Sequence, residues 1–220
     1  MAGLGRARRL AGDAVRAFPR RPRSGAACLG AHGAGRAAGA PGARGLRRVS
    51  GGPTRRLFFA LWPDDATRRR IAALAREIAP QPVPAANLHL TLAFLGPRTA
   101  AELDCLQAAA GEVRAEPFEL ELDFLGGWAR KRIQWLGTSH IPAALTALVA
   151  ALNAALAGCG YEPESRPYAP HITLSRKARQ PVSRRLEAPV RWPVGDFVLA
   201  ESVATDGGVR YEVLARWPLG

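Results

Sequence analysis

The chain predicts an α+β fold: two pseudo-symmetric lobes of mainly antiparallel sheet, with outer helices and a central cleft. Three observations carry this. A strand–helix–strand order occurs twice, over about 57–95 and about 132–176. The last strand of each unit carries one pattern, His89-Leu90-Thr91-Leu92 and His171-Ile172-Thr173-Leu174, 82 positions apart. Two alternating strands, about 196–204 and 209–217, close the chain around the turn Asp206-Gly207-Gly208.

The elements follow in order. Leu57 to Trp62 is a short apolar run that reads as a buried strand. Pro63-Asp64-Asp65 opens a helix with Asp as N-cap, and Ile71, Leu74 and Ile78 are its buried stripe. A loop marked by Pro80, Pro82 and Pro84 leads to the first His strand, 88–95, which Gly96-Pro97 ends. Thr99 and Glu102 have capping-box spacing, and Leu103, Leu106, Ala110 and Val113 mark one helix face. Phe118, Leu120, Leu122 and Phe124 alternate with Glu119, Glu121 and Asp123, a half-buried strand. Gly126-Gly127 reads as the turn into the strand Ile133–Leu136. Leu145, Leu148, Val149, Leu152 and Leu156 give an amphipathic helix that Gly158 and Gly160 end. The second His strand, 169–176, follows Arg166-Pro167-Tyr168-Ala169-Pro170. Residues 178–192 read as a loop.

Composition separates a tail from a body. Residues 1–56 hold 13 Arg and one acid, Asp13, so the other 164 residues carry only +1 of the net +13. Residues 1–53, rich in Arg, Gly, Ala and Pro, lack apolar periodicity and are expected to be disordered and dispensable. This basic tail is similar in composition to an organelle transit peptide; spurious upstream sequence would look the same. His32 lies in it. Residues 54–220 form the folded domain, whose near-neutral charge argues against tight nonspecific nucleic-acid binding. No apolar run reaches the ~18 residues of a membrane span. Cys28, Cys105 and Cys159 have no metal-ligand spacing and read as reduced thiols of a cytoplasmic protein.

In a strand, residues two apart share a face. Alternation puts Leu88, Leu90, Leu92 and Phe94 on an anchor face, with His89 and Thr91 opposite. In the second copy Ile172 and Leu174 anchor, while His171, Thr173, Ser175 and Lys177 face the other way. Two imidazoles without a third ligand make a poor zinc site. They suit paired general acid–base catalysis, one neutral His taking a proton while a protonated His gives one. Displacement at phosphorus needs those groups on opposite sides of the phosphate. The Thr hydroxyls can donate hydrogen bonds to its non-bridging oxygens, and nearby Arg or Lys can offset its charge.

The paired motifs resemble the His-x-Thr-x motifs of the two-histidine phosphoesterases. With Arg56-Leu57-Phe58-Phe59-Ala60, the run Asn87–Gly96, Trp135-Leu136-Gly137 and Arg166–His171, residues 55–217 resemble the RNA 2′,3′-cyclic phosphodiesterases, also called 2′-5′ RNA ligase-like proteins. The resemblance implies metal-independent hydrolysis of a 2′,3′-cyclic phosphate at an RNA end to a 2′-phosphomonoester, without a cofactor, with 2′-5′ ligation as the reverse step. It implies His89 as proton donor, His171 as proton acceptor, and Thr91 and Thr173 as phosphate holders. Further substrate contacts are expected from Phe59 and Tyr168 by stacking, and from Arg130, Arg132, Arg166 and Lys177 by charge. Phe59 and Tyr168 also fit core packing, and each cation also fits a solvated loop. His140 reads as a surface or cap residue. A monomer is expected. Two alternatives stay open: a superfamily phosphodiesterase for another nucleotide, such as a 2′-5′ oligoadenylate or small cyclic phosphate, and a non-catalytic RNA-end binding module.

Overall fold

A computed structural model describes residues 52–79 and 81–220. The expected tail, with Cys28 and His32, lies outside the described residues except for Gly52 and Pro53. The order is β1 (Arg55–Leu61), α1 (Asp65–Ile78), β2 (Leu90–Arg98), α2 (Ala100–Gly111), β3 (Phe118–Trp128), β4 (Ile133–Gly137), α3 (Ala143–Leu156), β5 (His171–Ser175), β6 (Arg184–Val194), β7 (Asp196–Thr205) and β8 (Gly208–Pro218).

All eight strands join one antiparallel sheet in the order β6-β3-β4-β5-β2-β1-β7-β8. The expected lobes are therefore two halves of one continuous sheet, mirrored about β5 and β2. β1-α1-β2 corresponds to β4-α3-β5, and β7-β8 to β3-β6. The halves meet at a narrow waist, where Leu90 pairs with Ile172. The helices lie on one face. Ile71 and Ala75 of α1, Leu106 and Ala110 of α2, and Leu145, Leu148 and Leu152 of α3 share one core with Leu57, Phe59, Leu90, Leu120, Leu136, Ile172 and Phe197. On the other face Phe58, Ala60, Val198 and Ala200 form a small second cluster beneath Trp62 and Tyr211.

The helix signals hold. The Asp64 carboxylate accepts hydrogen bonds from the backbone N–H of Ala66 and Thr67. Thr99 and Glu102 form the reciprocal capping box. Gly160, at φ 73°, supplies the left-handed residue after α3.

Four expectations need correction. Residues 184–194 form a strand. Its two prolines, Pro189 and Pro193, argue against a central strand, but β6 is at the sheet edge, where a missing N–H costs little. Gly126-Gly127 do not turn the chain. β3 runs through them to Trp128, and the turn is the short helical stretch Ala129–Lys131, with Arg132 at φ 55°. β2 likewise runs past Gly96-Pro97 to Arg98. Finally, Cys105 and Cys159 are joined in a disulfide, with 5.8 Å between Cα atoms. They lie 54 residues apart, so only the packing of α2 beside the end of α3 brings them together.

Candidate active site

The pairing of Leu90 with Ile172 decides the site. One residue to either side of that antiparallel pair, His89 stands opposite Thr173 and Thr91 opposite His171. All four lie on the face without helices. Opposed side chains in such a ladder start about 4.5–5.5 Å apart at Cβ. Leu90, Leu92, Ile172 and Leu174 are buried in the core, while His89, Thr91, His171 and Thr173 stay partly exposed. The two motifs thus form one crossed quartet of two imidazoles and two hydroxyls.

Both imidazoles are locked in the same way. Nδ1–H of His89 donates to the Asn87 carbonyl at 2.7 Å, and Nδ1–H of His171 to the Ala169 carbonyl at 2.8 Å. A carbonyl can only accept, so Nδ1 carries the hydrogen and Nε2 is left for chemistry. The supports differ. Asn87 is pinned to β8, its amide donating to the Val209 carbonyl and its side-chain oxygen accepting from the Tyr211 N–H. On the other side the Tyr168 hydroxyl donates to the Thr91 carbonyl at 3.0 Å and bridges the two motifs.

Aromatic rings wall both histidines. His89 stacks on Trp62 at 5.7 Å between ring centroids and meets Phe58 and Tyr211 at 4.8 and 4.9 Å. His171 meets the rings of Trp128 at 4.8 Å and Trp135 at 6.3 Å. Loss of water therefore lowers both imidazole pKa values, that of His89 to about 4. The bonds to Asn87 and Ala169 oppose the shift, and the nearby Arg176 charge adds to it at both rings. Lys131, seated over Trp128 at 5.6 Å, adds to it at His171.

Arg176 was expected to leave this face to Lys177. A bulge reverses that. Trp135 pairs with Thr173 but Gln134 pairs with Ser175, so Leu174 is an extra residue and the alternation slips by one. Leu174 and Ser175 both turn inward, the Ser175 hydroxyl donating to the Gln81 carbonyl. Arg176 then follows Thr173 on the site face. The same slip occurs in the first half, where Ala60 pairs with Thr91 and Phe59 with Ala93, leaving Leu92 extra. Ala93 joins the core, and Phe94 emerges 51% exposed instead of anchoring. Phe94 and Arg176 hold equivalent positions.

Other expected contacts resolve as follows. Phe59 is fully buried among the helices, and its neighbour Phe58 is the ring at His89. Tyr168 is held by its hydrogen bond to Thr91, and burial pushes its phenol pKa up, so it acts as a protonated donor. Arg166 is paired with Glu164. Of the run 130–132, Lys131 is the cation that reaches His171; Arg130 is exposed, and Arg132 lines a separate cavity with Lys177. His140 is exposed at the surface. The reading from sequence missed Asn87, Phe58, Trp62, Trp128, Trp135 and Tyr211. A signal for Trp135 was present: glycines within strands mark close approach, and a Cβ on Gly126 would lie 2.2 Å from the Trp135 ring.

An open antiparallel sheet that sets two His-x-Thr-x motifs side by side on one face is the architecture of the two-histidine phosphoesterases. Within that class the chain belongs to the 2′-5′ RNA ligase superfamily, whose family model matches residues 63–205. It is 39% identical over 171 residues to an RNA 2′,3′-cyclic phosphodiesterase of Escherichia coli, covering 74% of this chain and 96% of that protein. A Thermus thermophilus protein of the same name is 31% identical, over 74% of this chain and 90% of its own length. The crystal structure of E. coli LigT with 3′-AMP superposes with a TM-score of 0.69 at 37% identity, covering 76% of this chain and 98% of that one.

Proposed function

We propose that the chain hydrolyses the 2′,3′-cyclic phosphate at RNA ends to a 2′-phosphomonoester, through the His89–Thr91–His171–Thr173 quartet with Arg176. The observation that carries this reading is the crossed quartet, with each Nδ1 tied to a carbonyl and each Nε2 left for chemistry. Its relatives' shared activity supports the substrate.

In this mechanism Nε2 of His171 takes a proton from water as the water oxygen bonds to phosphorus. The bond from phosphorus to the 3′-oxygen breaks, and Nε2–H of His89 delivers its proton to that oxygen. Thr91 and Thr173 donate hydrogen bonds to the non-bridging oxygens, and Arg176 offsets the charge that gathers there. With a 5′-hydroxyl in place of water, the same transition state makes a 2′-5′ linkage. His89 is held neutral in the free protein, with its pKa near 4. The substrate's negative charge raises that pKa and draws in the proton the leaving group needs. Binding and protonation are thus coupled. The reading takes a single chain, acting without metal or cofactor, as the working unit. Among the described residues no helix is long and apolar enough to cross a membrane.

The test is an oligoribonucleotide with a 2′,3′-cyclic end, incubated with the protein in EDTA. Conversion to a 2′-phosphate is expected. A 3′-phosphate product would reverse the leaving-group assignment, and a requirement for added metal would overturn the mechanism. Tight binding without turnover would make the protein an RNA-end binding module.

A further inference from the structure

The cations of the described residues fall into two populations. Eight arginines face carboxylates: Arg55, Arg68, Arg98, Arg166, Arg185, Arg191, Arg210 and Arg216. Twelve other described Lys and Arg side chains have no carboxylate partner among the described residues, and three of these, Arg132, Lys177 and Arg179, come together. Together with Gln81 they line a cavity of about 350 Å³. Three like charges around one hollow repel one another, and an anion inside it relieves that repulsion.

The cavity is built from backbone that is tied together. The Ala178 N–H donates to the Arg132 carbonyl at 2.9 Å. The Ser175 hydroxyl donates to the Gln81 carbonyl at 2.9 Å and accepts from the Lys177 N–H at 3.2 Å. The same bulge that sends Arg176 to the histidines sends Lys177 into this wall. Arg132 holds its place through a left-handed backbone, φ 55° and ψ 36°, that a non-glycine residue rarely adopts. The cavity also adjoins the histidines in the chain. Arg176 precedes Lys177 and Lys131 precedes Arg132, and these two are the cations whose charge reaches His171. Two of the cavity's cations are thus immediate chain neighbours of the two cations that act on His171.

We propose that this cavity binds the internucleotide phosphate on the 5′ side of the reacting nucleotide, so that the enzyme selects oligoribonucleotide ends over cyclic mononucleotides. This rests on the reading of the quartet as a cyclic phosphodiesterase. A 2′,3′-cyclic phosphate is the 3′ terminus of its strand, so the strand continues only in the 5′ direction. A mononucleotide has one phosphate and leaves the cavity empty. An oligonucleotide has a second phosphodiester to place there.

The experiment compares full-length wild type with Arg179→Glu, Lys177→Glu/Arg179→Glu and Arg179→Lys. Two substrates are used: a short oligoribonucleotide with a cyclic end, and the matching nucleoside 2′,3′-cyclic phosphate. The ratio of kcat/KM for oligomer over mononucleotide is expected to fall about tenfold in Arg179→Glu, further in the double variant, and little in Arg179→Lys. A neutral methylphosphonate at the terminal internucleotide linkage is expected to lower that ratio in wild type and to have no further effect in Arg179→Glu. The slope of log kcat/KM against log salt for the oligomer should drop by about 0.7 for each phosphate no longer neutralised. An unchanged ratio in the double variant, or full activity on the methylphosphonate, overturns the proposal. If wild type opens neither substrate, the activity reading fails. The cavity is then judged by fluorescence anisotropy of a 2′-phosphorylated dinucleotide: weaker binding to Arg179→Glu upholds it, and equal binding overturns it.

Discussion

The two halves of the sheet hold their histidines by one plan but wall them differently. Beside the first motif, the residue opposite Thr91 is small, Ala60, and two positions on Trp62 stacks over His89. Beside the second, the order is inverted. Trp135 is opposite Thr173, and Gly137 is opposite His171. The bulky ring has moved from the histidine's row to the threonine's row. His89 is consequently boxed by Trp62, Phe58 and Tyr211, while His171 has a glycine at its side. The first half also places Phe94 where the second places Arg176. Burial desolvates both imidazoles, but the second half adds cations, Arg176 and Lys131, to its wall. A duplicated scaffold has thus made two unlike imidazoles, as an acid and a base require.

The largest test of that contrast removes each histidine. His89→Ala and His171→Ala should each lower kcat/KM on a cyclic-ended oligonucleotide by about 10² or more. What separates the halves is a substrate whose departing 3′-oxygen is replaced by sulfur, which leaves without being protonated. Activity of His89→Ala should recover on that substrate, while that of His171→Ala should not. Recovery in His171→Ala alone would swap the roles, and near wild-type rates in both variants would sink the two-histidine mechanism.

Next comes the cation that only one half possesses. Arg176→Ala should cost about 10²-fold in kcat/KM by removing charge that stabilises the transition state. Phe94→Ala, the equivalent change in the other half, should cost less than about tenfold. The pH profile gives a second reading. Burial, with a smaller contribution from the Arg176 charge, lowers both imidazole pKa values, so the pair titrates below the ordinary 6.5 in the free protein. The rate needs one imidazole neutral and one protonated. It should therefore rise as the base loses its proton and already be falling by pH 7. Without Arg176 both pKa values rise, so both limbs of kcat/KM against pH should move to higher pH. Arg176→Lys should keep the wild-type profile. A profile that Arg176→Ala leaves in place would show that its charge does not reach the histidines.

The scaffold the two halves share was visible in the sequence, whereas the contrast between them was not. The repeated His-x-Thr-x motif, the two strand–helix–strand units, the caps at Asp64 and Thr99 and the closing hairpin all rest on local patterns. Misplaced faces come from bulges. Alternation holds as far as Thr91 and Thr173 and then fails at Leu92 and Leu174 in both halves. It therefore buried Phe94 and chose Lys177 over Arg176. A bulge is a property of two paired strands, and neither strand alone announces it. Phe59 was chosen over Phe58 because adjacent aromatics in a buried strand do not say which one faces the helices. The remaining gaps are long-range: the Cys105–Cys159 bond, Asn87 held by β8, and the tryptophans beside His171, each brought into place by chain remote in sequence.

The inverted wall itself can be tested through stability, where the expected effect is smallest. Gly126 pairs with Trp135, and a Cβ there would lie 2.2 Å from a ring that is 6% exposed and has little space to move. Gly126→Ala should therefore destabilise by roughly 1–3 kcal/mol through overpacking. Each kcal/mol lowers Tm by about 2–4 °C in a domain of this size. Ala60, in the row matching Trp135, is itself small, and its neighbour in the position of Gly126 is Val198, not a glycine. If the indole is what the glycine accommodates, the two changes must couple. Trp135→Phe should cost stability alone, yet cost less once Gly126 is alanine, with a coupling of about 0.5 kcal/mol or more in a double-mutant cycle. Simple additivity would mean that Gly126 is there for its backbone, and that the bulky ring did not shape this side of the site.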